Sequence, residues 1–278
     1  MATSEQTWGA WVRDEPPELA GPRPSAARIF DHYLGGTDHF TVDCEFGDEI
    51  DRVAPALSGL CRDTRRFSRA VVRHLAESGI DQFLELGSGL PTVDPVHAVA
   101  ARHSRDPRVV YVDRDTETVA HAARLVDGVP RVAVERADLV DVDAVLATAG
   151  VRELIDLRRP VAVLAVGVLS ALDDEAARGA LRGYRDVAAP GSVLAVTQST
   201  GRGRPDLVAW RDIPHTGWTY APVLRDPEDM APWFDGTELV GPGWVSAPHW
   251  TPDGPAPGPA ETGSGMWGVV ARVPRARG

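Results

Sequence analysis

The segment FLELGSGLPT, Phe83 to Thr92, leaves an apolar run through Gly87-Ser88-Gly89. Glycines at that point let the backbone approach a nucleotide bound at the end of a strand. A dinucleotide loop asks for a third small residue where Thr92 stands, and Pro91 removes one of the N–H groups that such a loop turns on a pyrophosphate. The spacing therefore favours a nucleoside cofactor without phosphate. S-adenosylmethionine (SAM) is one: its adenosine calls for close backbone and a carboxylate on the ribose hydroxyls, and its cationic sulfonium needs no phosphate clamp. Asp113 lies 24 residues past Gly89 (113 − 89) at the end of the next apolar run. A carboxylate there can accept from both ribose hydroxyls. Asp138-Leu139 closes the third run, in place to cover the adenine edge. Each signal alone is weak, because an acid after a strand is often only a helix cap, as Asp115 is read. In register at successive strand ends, they point to a class I methyltransferase-like site.

Methyl transfer from an activated sulfonium needs alignment more than proton chemistry. If the acceptor is a hydroxyl or an ammonium, a base must take its proton. His32, Tyr33, Asp38, His39 and His215 are the candidates, and spacing does not choose among them. A surface or core role is the alternative for each histidine, and His97, just inside the helix after the glycine loop, reads as structural. Trp210, Trp218, Trp233, Trp244, Trp250 and Trp267 crowd the C-terminal part, either around a flat or cationic acceptor or as plain packing. No metal is expected, since Cys44 and Cys61 have no paired spacing and His97 and His121 lack a second ligand at helical spacing.

The elements that must position these residues alternate. Phe67, Val71 and Leu75 recur at helical spacing from Thr64 until Gly79, and Gln82 to Leu86 form a strand. RVVYVD, ending at Asp113, and RVAVERAD are further strands, separated by a helix carrying Val119, Ala123 and Val126. Val142 to Thr148 is a short helix closed by Gly150. PVAVLAVGVL, apolar throughout, suits a central parallel strand covered on both faces. Asp173 and Asp174 open a helix with Ala177, Leu181 and Tyr184 on one side, stopped by Pro190-Gly191 before SVLAVTQ. Five such units make an open, doubly wound α/β sheet. Beyond Thr200 a short helix is expected over 228–234, with strands over 238–240 and 266–273 and a loop or disordered insert, PDGPAPGPAETGSG, between them.

Composition agrees with one enzyme-sized domain. The 278 residues carry 43% hydrophobic residues and a formal charge of −11, which opposes nonspecific nucleic-acid binding and favours a small-molecule partner. All 29 basic residues are arginine, the mark of a GC-rich genome. No apolar run reaches membrane-spanning length and no secretory signal opens the chain, so a cytoplasmic location is expected. Residues 1–24, rich in proline, read as a flexible leader to a single domain over 25–278.

Together PSAARIFDHYLGGTDHF, FLELGSGLPT with VHAVA, VVYVDRD, ADLVD, PVAVLAVGVL and FDGTELVGPGWV resemble the actinobacterial S-adenosyl methyltransferases once grouped as a domain of unknown function. The resemblance implies a Rossmann-like class I sheet of seven mostly parallel strands with the last one antiparallel, SAM as cofactor, and a small-molecule acceptor such as those of secondary metabolism. It implies an N-terminal lid over 25–62, a core over 63–200 and a cap over 201–278. Glu85, Gly87, Ser88, Gly89 and Leu90 would shape the methionine and ribose side; Asp113 and Arg114 would meet ribose and adenine; Ala137, Asp138 and Leu139 the adenine rim; Val166 and Gly167 the floor. Arg28, Tyr33 and Asp38, with the turn at Gly35-Gly36, would belong to the lid, the alternative being that Ile29, Phe30 and Tyr33 only pack a helix on the sheet. The chain departs from the family where Ser170 and Gln198 replace histidines at the crevice mouth and Pro95 replaces an asparagine, which leaves Ser170 and Gln198 as substrate candidates. Three functions follow in order: methyl transfer, SAM or S-adenosylhomocysteine (SAH) binding without transfer, and a nicotinamide-dependent oxidoreductase. The oligomeric state, monomer or homodimer, is left open.

Overall fold

A computed structural model describes residues 23–212, 221–254 and 265–274. Three helices, α1 (Ala26–Leu34), α2 (Thr41–Val53) and α3 (Leu57–Glu77), precede the first strand. Five parallel strands follow: β1 (Gln82–Leu86), β2 (Arg108–Asp113), β3 (Val132–Arg136), β4 (Ala162–Ala165) and β5 (Val193–Ser199). Between them lie α4 (Val96–Ala101), α5 (Thr116–Leu125), α6 (Val142–Ala147), α7 (Ala149–Leu154) and α8 (Asp174–Val187). After α9 (Pro205–Arg211) and α10 (Pro227–Met230) come β6 (Glu238–Leu239), β7 (Val245–Ser246) and β8 (Met266–Arg272). The sheet runs β3-β2-β1-β4-β5-β8-β6, with β8 antiparallel to β5 and β7 also paired to β8. This is the expected mostly parallel α/β sheet with an antiparallel last strand, plus a two-residue β7 too short to leave a periodic signal.

Strand side chains alternate between two covered faces. Phe83, Val109, Tyr111 and Leu164 meet Phe67, Val71 and Leu75 of α3 and Val96 and Val99 of α4. Leu84, Leu86, Val110, Val112 and Val163 meet Val145 and Val151 of α6 and α7 and Ala180 and Tyr184 of α8. Full burial on both sides is why these strands read as continuous apolar runs. Phe67 is wholly buried and lies so close to β8 that a Cβ at Gly268 would fall 2.5 Å from its ring.

Local chemistry sets the helix boundaries. Asp115 and Asp173 cap α5 and α8 by accepting from the N–H groups of Thr118 and Ala176, each at 2.8 Å. The helix expected from Thr64 begins earlier, at Leu57, because Leu60 and Cys61 continue its buried stripe. Gly150 does not close a helix: it lies inside α7, where its N–H donates to Glu135 and a Cβ would press on Ala133 at 2.5 Å. The strand expected across PVAVLAVGVL is confined to Ala162–Ala165, since Gly167, at φ +81, turns the chain out of the sheet. The short helix expected over 228–234 is split into α10 and a 3-10 turn over Ala231–Phe234.

Candidate functional site

Strand order reverses between β1 and β4, so their carboxyl ends splay and open a crevice. Gly87 (φ +63) and Gly89 (φ +58) turn the chain there in a conformation that only glycine adopts freely. At Gly87 a Cβ would fall 2.2 Å from Val168 Cγ2, so the loops after β1 and β4 meet only because that side chain is missing. A cavity of about 840 Å³ lies on this floor.

Most of the expected cofactor residues line it: Glu85, Gly87, Ser88, Gly89, Leu90, Asp113, Arg114, Ala137, Asp138, Leu139, Val166 and Gly167. Asp113 is held by two backbone donors, Gly89 N–H on Oδ2 and Asp115 N–H on Oδ1, both at 3.0 Å. The carboxylate and the glycine loop thereby fix each other. Asp138 accepts from Val140 N–H at 3.1 Å and faces Arg114 at 3.6 Å. Glu85 is 6% exposed, and burial pushes its pKa up to about 7 against the opposing pull of Arg65.

Arg65, from α3, carries no sequence signature beyond being one of many arginines, and the sequence reading missed it. Its guanidinium lies 5.7 Å over the Phe30 ring, it lines the cavity, and its buried Nε has no protein partner. A buried donor without an acceptor asks for one from a ligand.

Arg28, Tyr33 and Gly36 do not line this cavity. Arg28 is buried against Asp43 at 2.7 Å and stacks on Phe40, tying α1 to the start of α2. Gly36 closes the turn after α1, where a Cβ would fall 1.9 Å from Asp31 Oδ1.

A second cavity, of about 120 Å³, adjoins the first and shares Ala26, Phe30, Thr64 and Gly167 with it. Its walls are apolar: Ile29 and Tyr33 from α1, Ile50 from α2, Leu60 and Cys61 from α3, with Leu207, Trp210, Leu224 and Met266 opposite. Thr64 and Tyr33 hydroxyls already donate to the carbonyls of Leu60 at 2.8 Å and Gly47 at 2.9 Å. Burial pushes the Tyr33 hydroxyl far up and the Cys61 thiol up to about 12, so neither supplies a base near neutrality. Ser199 Oγ is buried without a partner.

The remaining candidates fall elsewhere. Ser170 lines the second cavity. Gln198 lines neither: its Nε2 donates to the Ser199 and Val223 carbonyls at 2.9 and 2.8 Å, and its Oε1 accepts from Arg225 at 3.1 Å. Arg225, 4% exposed, also holds the Leu169 carbonyl at 3.0 Å, the Leu172 carbonyl at 2.6 Å and Asp174 at 2.7 Å, pinning the chain after β4. His32, Asp38 and His39 line neither cavity, Asp38 facing His121 at 3.6 Å. His215 and Trp218 lie outside the described residues. Trp250 packs edge-on against Phe67, Trp244 against Phe234, and Trp233 lies under Arg225.

The helix after the glycine loop starts only at Val96, and the His97 N–H in its first turn already donates to the Tyr111 hydroxyl at 3.0 Å. The glycines are thus not followed directly by a helix terminus of the kind that binds a dinucleotide pyrophosphate. His97 Nδ1 meets the same hydroxyl at 2.8 Å, in the structural role expected of it.

A family model described as S-adenosyl methyltransferase matches residues 13–274. The chain belongs to that family. SAM is its cofactor. A candidate methyltransferase from Thermobifida fusca YX is 36% identical, with a TM-score of 0.80 over 94% of this chain and 98% of its own. A duf574 family protein from Streptomyces avermitilis MA-4680 is 33% identical, with a TM-score of 0.78 over 91% and 98%. A magnesium protoporphyrin IX methyltransferase from Synechocystis PCC 6803, solved with SAH bound, shares the fold at 14% identity and a TM-score of 0.51 over 88% of this chain and 92% of its own. No curated protein matches this chain. Among its described residues no helix is long and apolar enough to cross a membrane.

Proposed function

We propose that this protein transfers the methyl group of SAM to a small, largely apolar acceptor seated in the second cavity. The observation that carries this reading is the junction of a large cavity lined by the strand-end glycines and carboxylates with a small apolar one across Phe30, Thr64 and Gly167. When bound, SAM supplies a methyl group on a sulfonium, which a nucleophile displaces in line to leave a neutral thioether.

The chain's own residues bind, orient and exclude water. Asp113 would accept from the ribose hydroxyls, and Ala137, Asp138 and Leu139 would border the adenine. The buried Glu85 would take the methionine ammonium and the unpartnered Arg65 Nε the methionine carboxylate, so that a zwitterion answers both charges. Phe30 and Gly167 then stand at the mouth of the acceptor cavity, and the apolar walls beyond keep water from the reacting carbon. The acceptor cavity approaches the size of sites that take a benzene ring, roughly 150 Å³, and Ser199 Oγ offers one hydrogen bond to orient it.

One observation favours a second reading, cofactor binding without transfer: among the described residues no imidazole or carboxylate lines the acceptor cavity. A nucleophile that must lose a proton would meet no base there among these described residues. An acceptor with an available lone pair would need none.

The test is a calorimetric titration with SAH, followed by a panel of small aromatic and aliphatic amines, thiols and phenols with methyl-labelled SAM. SAH binding with label transfer to a panel member is the expected result. Binding with no transfer across the panel would support the second reading, and no SAH binding would overturn both.

A further inference from the structure

At the turn from α1 into α2, outside both cavities, His32, His39 and Cys44 each bring a ligand atom within 4.8 Å of the others. The two imidazoles meet edge to face with centroids 5.0 Å apart, and all three side chains are half-buried. His39 Nδ1 lies 2.8 Å from Asp31 Oδ2, and the Asp31 side chain is completely buried. The turn is built around that carboxylate. Asp38 N–H donates to the same Oδ2 at 2.8 Å, and only a glycine at position 36 leaves room for Oδ1, which has no hydrogen-bond partner.

A carboxylate on one imidazole nitrogen fixes the proton there and turns the other nitrogen, with its lone pair, toward a ligand; metal sites use this arrangement to orient histidine. Two neutral imidazoles and a thiolate are ligands for a borderline cation rather than for Mg²⁺ or Ca²⁺, which take oxygen. We propose that His32, His39 and Cys44 form a binding site for a divalent transition cation of the zinc type. Three protein ligands leave a fourth position for water. On binding, the Cys44 thiol gives its proton to solvent as the metal–sulfur bond forms. The dication and thiolate together leave one net positive charge beside Asp31, a counter-charge for a carboxylate otherwise faced by one imidazole. The bound metal would clip the end of α1 to the start of α2, next to Tyr33, which walls the acceptor cavity.

The test uses the full chain with any histidine tag removed, reduced with a phosphine that does not bind metal. Titration with Co²⁺ is expected to give a thiolate-to-cobalt charge-transfer band and visible four-coordinate absorption that saturate at one equivalent and disappear on adding Zn²⁺. Cys44→Ser removes the charge-transfer band and, like His39→Ala, weakens Zn²⁺ binding more than about tenfold, while Asp31→Asn weakens it roughly 10–100-fold. His103→Ala, which alters a histidine paired with Glu77 elsewhere, leaves binding unchanged. If Asp31→Asn fails to fold, the two ligand variants decide. No band at millimolar Co²⁺, a band that survives Cys44→Ser, or Zn²⁺ affinity unchanged in both ligand variants would overturn the site. SAH titration of the same samples separates this result from the methyl-transfer reading, because the trio lies outside both cavities.

Discussion

The two cavities meet along Ala26, Phe30, Thr64 and Gly167, yet they are built of opposite materials. The larger is floored by backbone: positive-φ glycines after β1 and β4 and carboxylates at strand ends, held by N–H groups of the same loops. The smaller is walled by side chains of three helices that precede the sheet and by residues that follow β5. A fixed cofactor can be met by rigid strand-end geometry, whereas an acceptor in the smaller cavity would be met largely by side chains of helices and loops outside the parallel strands. Damage to the first should abolish cofactor binding. Damage to the second should spare binding and stop transfer.

The largest expected effect is at Gly87. A valine there must hold a positive φ and place its Cβ against Val168, so SAH affinity should fall by about 2–4 kcal/mol, beyond thirtyfold, by calorimetry. Asp113→Ala removes the anchor of Gly89 and Asp115 together with the carboxylate proposed to meet the ribose. A loss of about 2–3 kcal/mol in SAH binding is expected. Leu224→Trp sharpens the contrast, because Leu224 lines the smaller cavity and not the crevice. SAH affinity should stay within about twofold while label transfer drops more than about tenfold; if both fall together, the two cavities are one site.

A graded effect is the pH dependence centred on Glu85. Its pKa in the folded protein is raised to about 7, so the neutral form adds stability that is full below its ordinary value of 4.5 and is lost as pH rises through 7. A ligand ammonium reverses that preference and favours the carboxylate. SAH affinity should therefore weaken as pH falls from 8 to 5.5, by at most about tenfold per unit below 7. Glu85→Gln should flatten this dependence, weaken binding at pH 8 and raise the melting temperature of the free protein there. An unchanged pH profile in Glu85→Gln would remove Glu85 from the ligand's ammonium.

What could be read in the sequence follows the same division. Strand-end chemistry is local: the turn at Gly87 and Gly89, the acid closing RVVYVD, and the caps at Asp115 and Asp173 each act within a few residues and leave a pattern. The acceptor cavity is long-range. Ile29, Ile50, Leu60, Leu207 and Leu224 look like ordinary core residues until the sheet brings them together. Arg65 was illegible for another reason: only burial without a partner marks it out among the arginines of a chain that has no lysine. Gln198, expected at the crevice mouth, is instead drawn inward by Arg225, whose guanidinium serves the carbonyls of the chain after β4. The His32, His39 and Cys44 trio has no motif spacing because a turn and two helices bring it together.

The most direct test of the cofactor assignment and its neighbour is a crystal structure with SAH. The ribose is expected on Asp113, the methionine ammonium at Glu85 and its carboxylate at Arg65, with the sulfur facing the opening between Phe30 and Gly167. SAH bound elsewhere, or seated in the crevice with its sulfur turned away from that opening, would contradict the account.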